Sequence, residues 1–289
     1  MQKVAILTDS TCDLPVELQR RYKIEILNFT LTLDGRTYTE RLDFTPQQYY
    51  KMLRAVRTAP TTKVIPVDVY LDAFKHYADN GYTDLIVVTL ASTISETNNN
   101  VHLALTRFYA QYADSRLRLH VLDSKLLSMG YGYPICVAAA MLEQQTDVNQ
   151  VIAYLEDCFS RIEIVFAAYT FKFLKLSGRT SGFAAFAGDL FRLRPIMSYI
   201  DGISKAESSV QGDKKVIPTM CEYARQRLDR NQPYLVGTTM SEHGQLLIDE
   251  CTRSFGYPPQ MVFDIGAALA THLGPEGDAI LFFGNKRKR

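Results

Sequence analysis

Apolar residues in this chain come in short runs separated by hydroxyl-, glycine- and proline-rich turns, and the period within each run assigns an element. Residues 4–7 and 84–88 are strand-length apolar runs with little alternation, the pattern of strands buried on both faces. Residues 23–33 hold a second apolar run, closed by the tight-turn pair Asp34-Gly35 before Arg36-Thr37-Tyr38. Thr45-Pro46-Gln47-Gln48 carries the parts of a capping box and predicts a helix to about Val56. Pro15 opens a short helix that Asp13 is expected to cap, while Pro66-Val67-Asp68 opens another that Asn80-Gly81 stops.

A strand at 84–89, a hydroxyl-rich turn at 89–98, an amphipathic helix to about Ala113 and a strand at 117–122 follow. Strands and helices alternating through short connections predict an α/β fold with a mostly parallel sheet in the first half. The second half starts near Asp147 with a helix to about Arg161, then strands at 163–169 and 195–200. Asp201-Gly202 turns the chain directly into a return strand at 203–206, so this half is expected to build a mixed sheet. Helices at 216–228, 243–255 and 265–271 alternate there with strands at 234–238, 260–262 and 279–282. Ligands of such folds sit beyond the carboxyl ends of strands, which directs attention to residues 8–11, 91–95 and 123–128.

Composition narrows the class. A chain of 289 residues, 47% of them apolar, is long enough for two domains that each bury a core. A net charge of +1 offers no field for recruiting nucleic acid, and the basic tail Lys286-Arg287-Lys288-Arg289 reads as a solvated terminus. Five cysteines without paired spacing suit buried thiols in a reducing cytoplasm. The chain has no signal-peptide pattern and no apolar run near the ~20 residues that span a bilayer, so a cytoplasmic location is expected. The scattered histidines and unpaired cysteines predict no metal site and no cofactor.

The turn at 89–98 is the leading candidate for chemistry. Helix-start N–H groups, the positive end of the helix dipole and the hydroxyls of Ser92, Ser95 and Thr97 converge there, as an anion site requires. Taken alone, these hydroxyls are more readily helix caps than anion ligands, and Glu96 already places a carboxylate in the first turn. Thr61 and Thr62 sit in a loop before a helix, where ordinary turn chemistry is the simpler role. His272, before Leu273-Gly274-Pro275, is either a helix-terminal cap or a site residue, and Arg179 stands in a Gly/Ser loop. Gly130 and Gly132 fall inside an apolar helix and read as close packing. No Walker, Rossmann or Gly-x-Ser-x-Gly pattern is present, and no catalytic residue is nominated.

Taken together these stretches resemble the DegV family, nearly end to end. Ile6-Leu7-Thr8-Asp9-Ser10-Thr11-Cys12-Asp13-Leu14-Pro15 follows the family's opening at almost every position. Thr61-Thr62-Lys63-Val64-Ile65-Pro66 stands in the place of its Thr-Ser-Gln-Pro-Ser loop, and residues 91–97 in that of Ser-Ser-x-Leu-Ser-Gly-Thr. Asp123-Ser124-Lys125 with Ser128, Gly130 and Gly132, then Ser177-Gly178-Arg179-Thr180-Ser181, then Ile265-Gly266 through His272-Leu273-Gly274-Pro275, complete the likeness.

The resemblance implies two domains, here residues 1–146 and 147–289, with a long-chain fatty acid held between them. Its carboxylate would be bound by Thr61, Thr62, Ser95 and His272, with Arg179 and Ser92 as further head-group or partner contacts. Its acyl chain would enter an apolar tunnel of the second domain, for which Phe166, Phe171, Phe173, Phe183 and Phe186 are wall candidates. Burying such a chain gains roughly 0.8 kcal/mol per methylene, so the head group needs orientation more than charge pairing. In the family a separate fatty acid kinase catalytic subunit phosphorylates the presented carboxylate, and the carrier does no chemistry alone. A transient membrane contact is compatible with that cycle. The departures are Glu96 for the family glycine, Ala91 and Val64 for hydroxyls, and Gln211-Gly212-Asp213-Lys214-Lys215 for its Arg-Gly stretch. A stand-alone hydrolase or phosphotransferase using Ser95 with His272, and a regulatory homologue without lipid, are the competing expectations.

Overall fold

The computed structural model describes residues 2–177 and 193–285. Contacts divide the chain into two compact units, Met1–Thr30 with Lys63–Phe159, and Leu31–Thr62 with Ser160–Arg289. The division is therefore not one cut between 146 and 147, because an early segment clusters with the C-terminal half.

The first unit is organised by four strands, β1 (Val4–Asp9), β2 (Glu25–Leu27), β6 (Asp84–Thr89) and β7 (Arg118–Asp123), in the order β2-β1-β6-β7. Every pairing in it is parallel. All six residues of β6 are buried, which is why its sequence shows no alternation. Helices α1 (Val16–Tyr22), α3 (Val67–Asp79), α4 (Thr97–Gln111), α5 (Met129–Glu143) and most of α6 (Val148–Arg161) accompany the sheet. Chain order runs outward from β1 to β2 on one side and from β6 to β7 on the other, so the topological switch lies between β1 and β6. Gly132 bears out close packing: a Cβ there would stand 2.2 Å from the Cys12 carbonyl oxygen.

Asp13 does not cap α1 as expected. It adopts a left-handed conformation (φ 53°) closing a short 3-10 turn at Ser10–Cys12, and Pro15 occupies the cap position of α1. Asp13 is instead buried and accepts a hydrogen bond from Ser128 Oγ. A carboxylate in the αL region after a 3-10 turn faces inward here, and the proline alone sets the helix start.

The second unit holds a six-stranded sheet of β8 (Ile162–Ala168), β9 (Leu193–Ile200), β10 (Ile203–Gln211), β11 (Tyr234–Thr238), β12 (Met261–Asp264) and β13 (Gly277–Phe283), ordered β10-β9-β8-β13-β11-β12. It is mixed: β11 and β12 are parallel and the other neighbours antiparallel. Ile200 pairs with Ile203 across Asp201 (φ 50°) and Gly202 (φ 79°), the two-residue hairpin that the sequence announces. Helices α8 (Val216–Arg225) and α9 (His243–Phe255) bring Met220, Ala224, Leu247 and Cys251 into one core with Val165, Ala167, Val236 and Ile280. Helices α7 (Phe171–Ser177) and α10 (Ala267–Leu273) are short helices of seven residues each in the same unit.

The early segment adds a small sheet ordered β4-β3-β5, from β3 (Thr30–Leu33), β4 (Arg36–Thr39) and β5 (Thr61–Lys63), and helix α2 (Pro46–Ala55). The predicted capping box is formed in full, with Gln48 N–H donating to Thr45 Oγ1 and Thr45 N–H to Gln48 Oε1. Side chains explain why this segment joins the second unit. Tyr50 O–H donates to the Ile265 carbonyl (2.5 Å), Gln47 to Asp264 (2.6 Å) and Arg54 to the Pro275 carbonyl (3.3 Å). Buried Glu40 accepts from Ala268 N–H at 2.7 Å, capping the first turn of α10.

Candidate functional site

In the second unit, α2 fixes α10 and α10 presents His272. Thr271 Oγ1 donates to the Ala267 carbonyl (2.8 Å), so the hydroxyl proton between Tyr49 and Thr271, 2.5 Å apart, comes from Tyr49. Burial raises the Tyr49 phenol above its ordinary range, which keeps that donor in place. Beyond this anchored turn, His272 Nε2 lies 3.1 Å from Thr62 Oγ1. Strand alternation makes the choice between the two threonines: Thr62 is half-buried and meets the imidazole, whereas Thr61 is exposed. When Nε2 carries its proton it donates to Thr62 Oγ1, leaving the threonine proton for an acceptor such as a carboxylate oxygen.

A buried ring packs at the end of the same helix. Gly274 ends α10 at φ 101°, and a Cβ there would come within 3.0 Å of the Phe173 ring, so buried Phe173 packs two residues from His272. Phe166 is half-buried at the centre of β8, paired with Ala279 and Met197. Its neighbours Val165 and Ala167 point into the α8–α9 core, so alternation turns Phe166 to the sheet's other face. Phe171 is half-buried at the start of α7. Arg179, Phe183 and Phe186 lie outside the described residues.

In the first unit, the turn after β6 is held by side chains from three places. Leu90 N–H donates to Asp9 Oδ2 (3.0 Å), and Ala91 N–H to the Leu126 carbonyl (3.1 Å). Ser92 donates from Oγ (2.5 Å) and from its N–H (3.2 Å) to the Asp123 carboxylate. Ser95 Oγ accepts from Thr97 N–H (3.3 Å) and lies 2.9 Å from Thr97 Oγ1. Asn98 Nδ2 closes the turn onto Thr89 Oγ1 at 3.0 Å. Ser92 is thus a brace to β7, and Ser95 Oγ takes up the N–H of the first residue of α4 from one position before its N-cap, Glu96, which is exposed. The sequence reading missed Asp9, Tyr131, Glu40, Tyr49 and Tyr50 as organisers. The family opening contained Asp9, and the helical stripe of α2 contained both tyrosines, but neither signal says where a polar tip ends.

A cavity of about 590 Å³ lies at the β3–β4 hairpin, lined by residues including Leu33, Tyr38, Met52, Val56, Arg36 and Arg57, and by none of the nominated residues. Among the described residues no group of three or more His, Cys, Asp or Glu side chains is placed to hold a metal ion. No helix among them is long and apolar enough to cross a membrane.

Residues 3–285 match the family model described as an uncharacterised protein of the DegV family, and the chain belongs to that family. A DegV domain-containing protein of Staphylococcus aureus is 27% identical over 293 residues, with 98% of each chain covered. A stearic acid-binding protein from Eubacterium ventriosum has the same fold at a TM-score of 0.89, with 23% identity and 98% of both chains covered. The DegV family protein from Thermus thermophilus, described by its fatty acid binding, gives 0.84 at 24% identity, covering 98% of this chain and 100% of that one. The expected α/β fold, parallel in its first sheet and mixed in its second, is the fold of these structures.

Proposed function

We propose that this protein is a cytoplasmic carrier that binds a long-chain fatty acid and presents its carboxylate to a separate kinase subunit for conversion to an acyl phosphate. The observation that carries the reading is the Thr62–His272 pair, 3.1 Å apart, with His272 on a helix whose end at Gly274 packs against the buried Phe173 ring; it supports a polarised hydroxyl available to a head group. Neutral donors orient a carboxylate and leave it nucleophilic, and the acyl chain supplies the affinity. Thr62 and His272 are assigned to the head group, with Thr61 and Ser95 as further candidates; Phe166, Phe171 and Phe173 are assigned to the acyl chain. The fatty-acid-binding proteins that share this fold support the ligand class.

Gln211 stands where the family stretch has its arginine; Asp213, two residues on, accepts from Arg194 Nε at 2.7 Å, and Lys214 and Lys215 are exposed. Exchange of ligand with a membrane surface belongs to the same reading. The test is organic extraction and mass spectrometry of the purified protein, then incubation with ATP and a fatty acid kinase catalytic subunit. The carrier reading requires copurified fatty acid and acyl phosphate made only when both proteins are present. Turnover of an activated ester by the chain alone would instead favour a hydrolase.

A further inference from the structure

Beneath the turn after β6, at the topological switch of the parallel sheet, sits a polar cluster that the lipid reading does not use. Asp9 ends β1 and is fully buried, as are Thr11 and Tyr131 to within 2%. Three oxygens form a closed triangle: Asp9 Oδ1 to Thr11 Oγ1 is 2.5 Å, Thr11 Oγ1 to Tyr131 Oη 2.7 Å, and Tyr131 Oη to Asp9 Oδ1 2.7 Å. Three hydrogen-bond contacts need three protons, yet the two hydroxyls own only two. With Asp9 ionised, both hydroxyls point at Oδ1 and their own oxygens face each other at 2.7 Å with no proton between. With Asp9 protonated, each oxygen donates once around the ring; Oδ1 also accepts Thr11 N–H at 3.0 Å, and Oδ2 remains the acceptor that Leu90 N–H uses at 3.0 Å.

We propose that Asp9 is a neutral carboxylic acid in the folded protein, and that in this form it acts as a positioning residue for the turn 90–97. The surroundings argue the same way. The titratable groups around the ring are Tyr70 from α3, Tyr131 from α5 and Cys12 from the turn after β1, and among the described residues no basic side chain acts on Asp9. A buried carboxylate without a cation carries a heavy desolvation cost, whereas a buried acid with its proton placed does not. Burial raises the Asp9 carboxyl above its ordinary range despite four hydrogen bonds that favour the charged form. Tyr70 Oη, buried and without a hydrogen-bond partner among the described residues, adds no donor to hold a charge there.

The positioning role follows from the contacts. Asp9 joins the end of β1 to the first residue of the turn that carries Ser95. Losing the proton would put an uncompensated charge under that turn and set two hydroxyl oxygens against each other. The link to ligand binding rests on the fatty acid reading; the protonation state does not.

Infrared difference spectra of the wild type against Asp9→Asn at neutral pH test the assignment. The carbonyl stretch of a protonated carboxyl group is expected in the wild type and absent from the variant. As pH rises through the point where that band disappears, the wild-type thermal midpoint and fatty acid affinity should fall, the affinity several-fold, while Asp9→Asn stays flat over the same range. Should Asp9→Asn fail to fold, carboxyl-13C aspartate labelling in an Asp264→Asn background gives the same readout, one aspartate still protonated at neutral pH. Only ionised carboxylates in either spectrum overturns the proposal. A protonated Asp9 with pH-independent affinity overturns the positioning role. A protonated Asp9 in a protein that binds no fatty acid at any pH upholds the proton and removes the lipid reading.

Discussion

Thr62 and His272 stand 210 residues apart in sequence and share one hydrogen bond, so the proton they hold decides what the pair can do. Thr62→Val keeps shape and removes the hydroxyl; it should weaken fatty acid binding about tenfold, the worth of one hydrogen bond of roughly 1–1.5 kcal/mol. Thr61→Val, on the exposed side of the same strand, should weaken binding less than Thr62→Val, and calorimetric titration with a fatty acid separates the two. A second imidazole offers a pH prediction. His243 Nδ1 lies 2.8 Å from Asp278 Oδ2, a carboxylate that also accepts from Tyr169 Oη and Thr238 Oγ1, each at 2.7 Å. The hydrogen bond to Asp278 raises the His243 pKa, and burial only partly opposes it. Since the folded value exceeds the unfolded one, the stability gained is complete below the ordinary imidazole value and lost as pH rises through the raised one. Thermal midpoints followed across that window should fall in the wild type and change less in His243→Gln. Both histidines were visible in the sequence, but only His272 stood in a recognisable motif. His243 gave no signal because Asp278 reaches it through the sheet, not through spacing.

At the scale of elements, what the sequence disclosed depended on whether the stabilising contact was local. The capping box at Thr45, the Asp34-Gly35 and Asp201-Gly202 turns and the buried run of β6 are set by neighbouring residues, and all of them form as read. Asp13 misled because its partner, Ser128, lies 115 residues away. Thr45→Ala should cost about 1 kcal/mol through the lost cap, measured by denaturant unfolding. Gly132→Ala is a harsher change. Its methyl would stand 2.2 Å from the Cys12 carbonyl oxygen, so α5 must move off the turn after β1. A loss of about 1–3 kcal/mol is expected, the range for overpacking a closed contact. Thr11 and Tyr131 flank that contact in sequence, so Gly132→Ala should also disturb the oxygen ring at Asp9.

For the whole molecule, the instructive feature is that chain order and compact units part company. A single cut near residue 147 is the economical reading of a sequence whose first half reads parallel and whose second reads mixed. Residues 31–62 depart from it because the polar tips of Tyr49, Tyr50, Gln47 and Glu40 are spent on the β12–α10 stretch, more than 200 residues on. Periodicity showed that α2 had a face to bury and could not show which core would take it. Hydrogen exchange on the full chain checks the assignment. Tyr50→Phe removes the donor to the Ile265 carbonyl, leaving that buried acceptor unsatisfied at a cost of about 1–3 kcal/mol. Exchange should then accelerate together in α2 and α10, as parts of one cooperative unit, while the amides of β6 keep their wild-type protection. Acceleration in α2 alongside the parallel sheet, with α10 unchanged, would place the segment with the N-terminal half after all. Because α10 carries His272, the same variant should loosen the Thr62–His272 contact and weaken fatty acid binding without touching either residue.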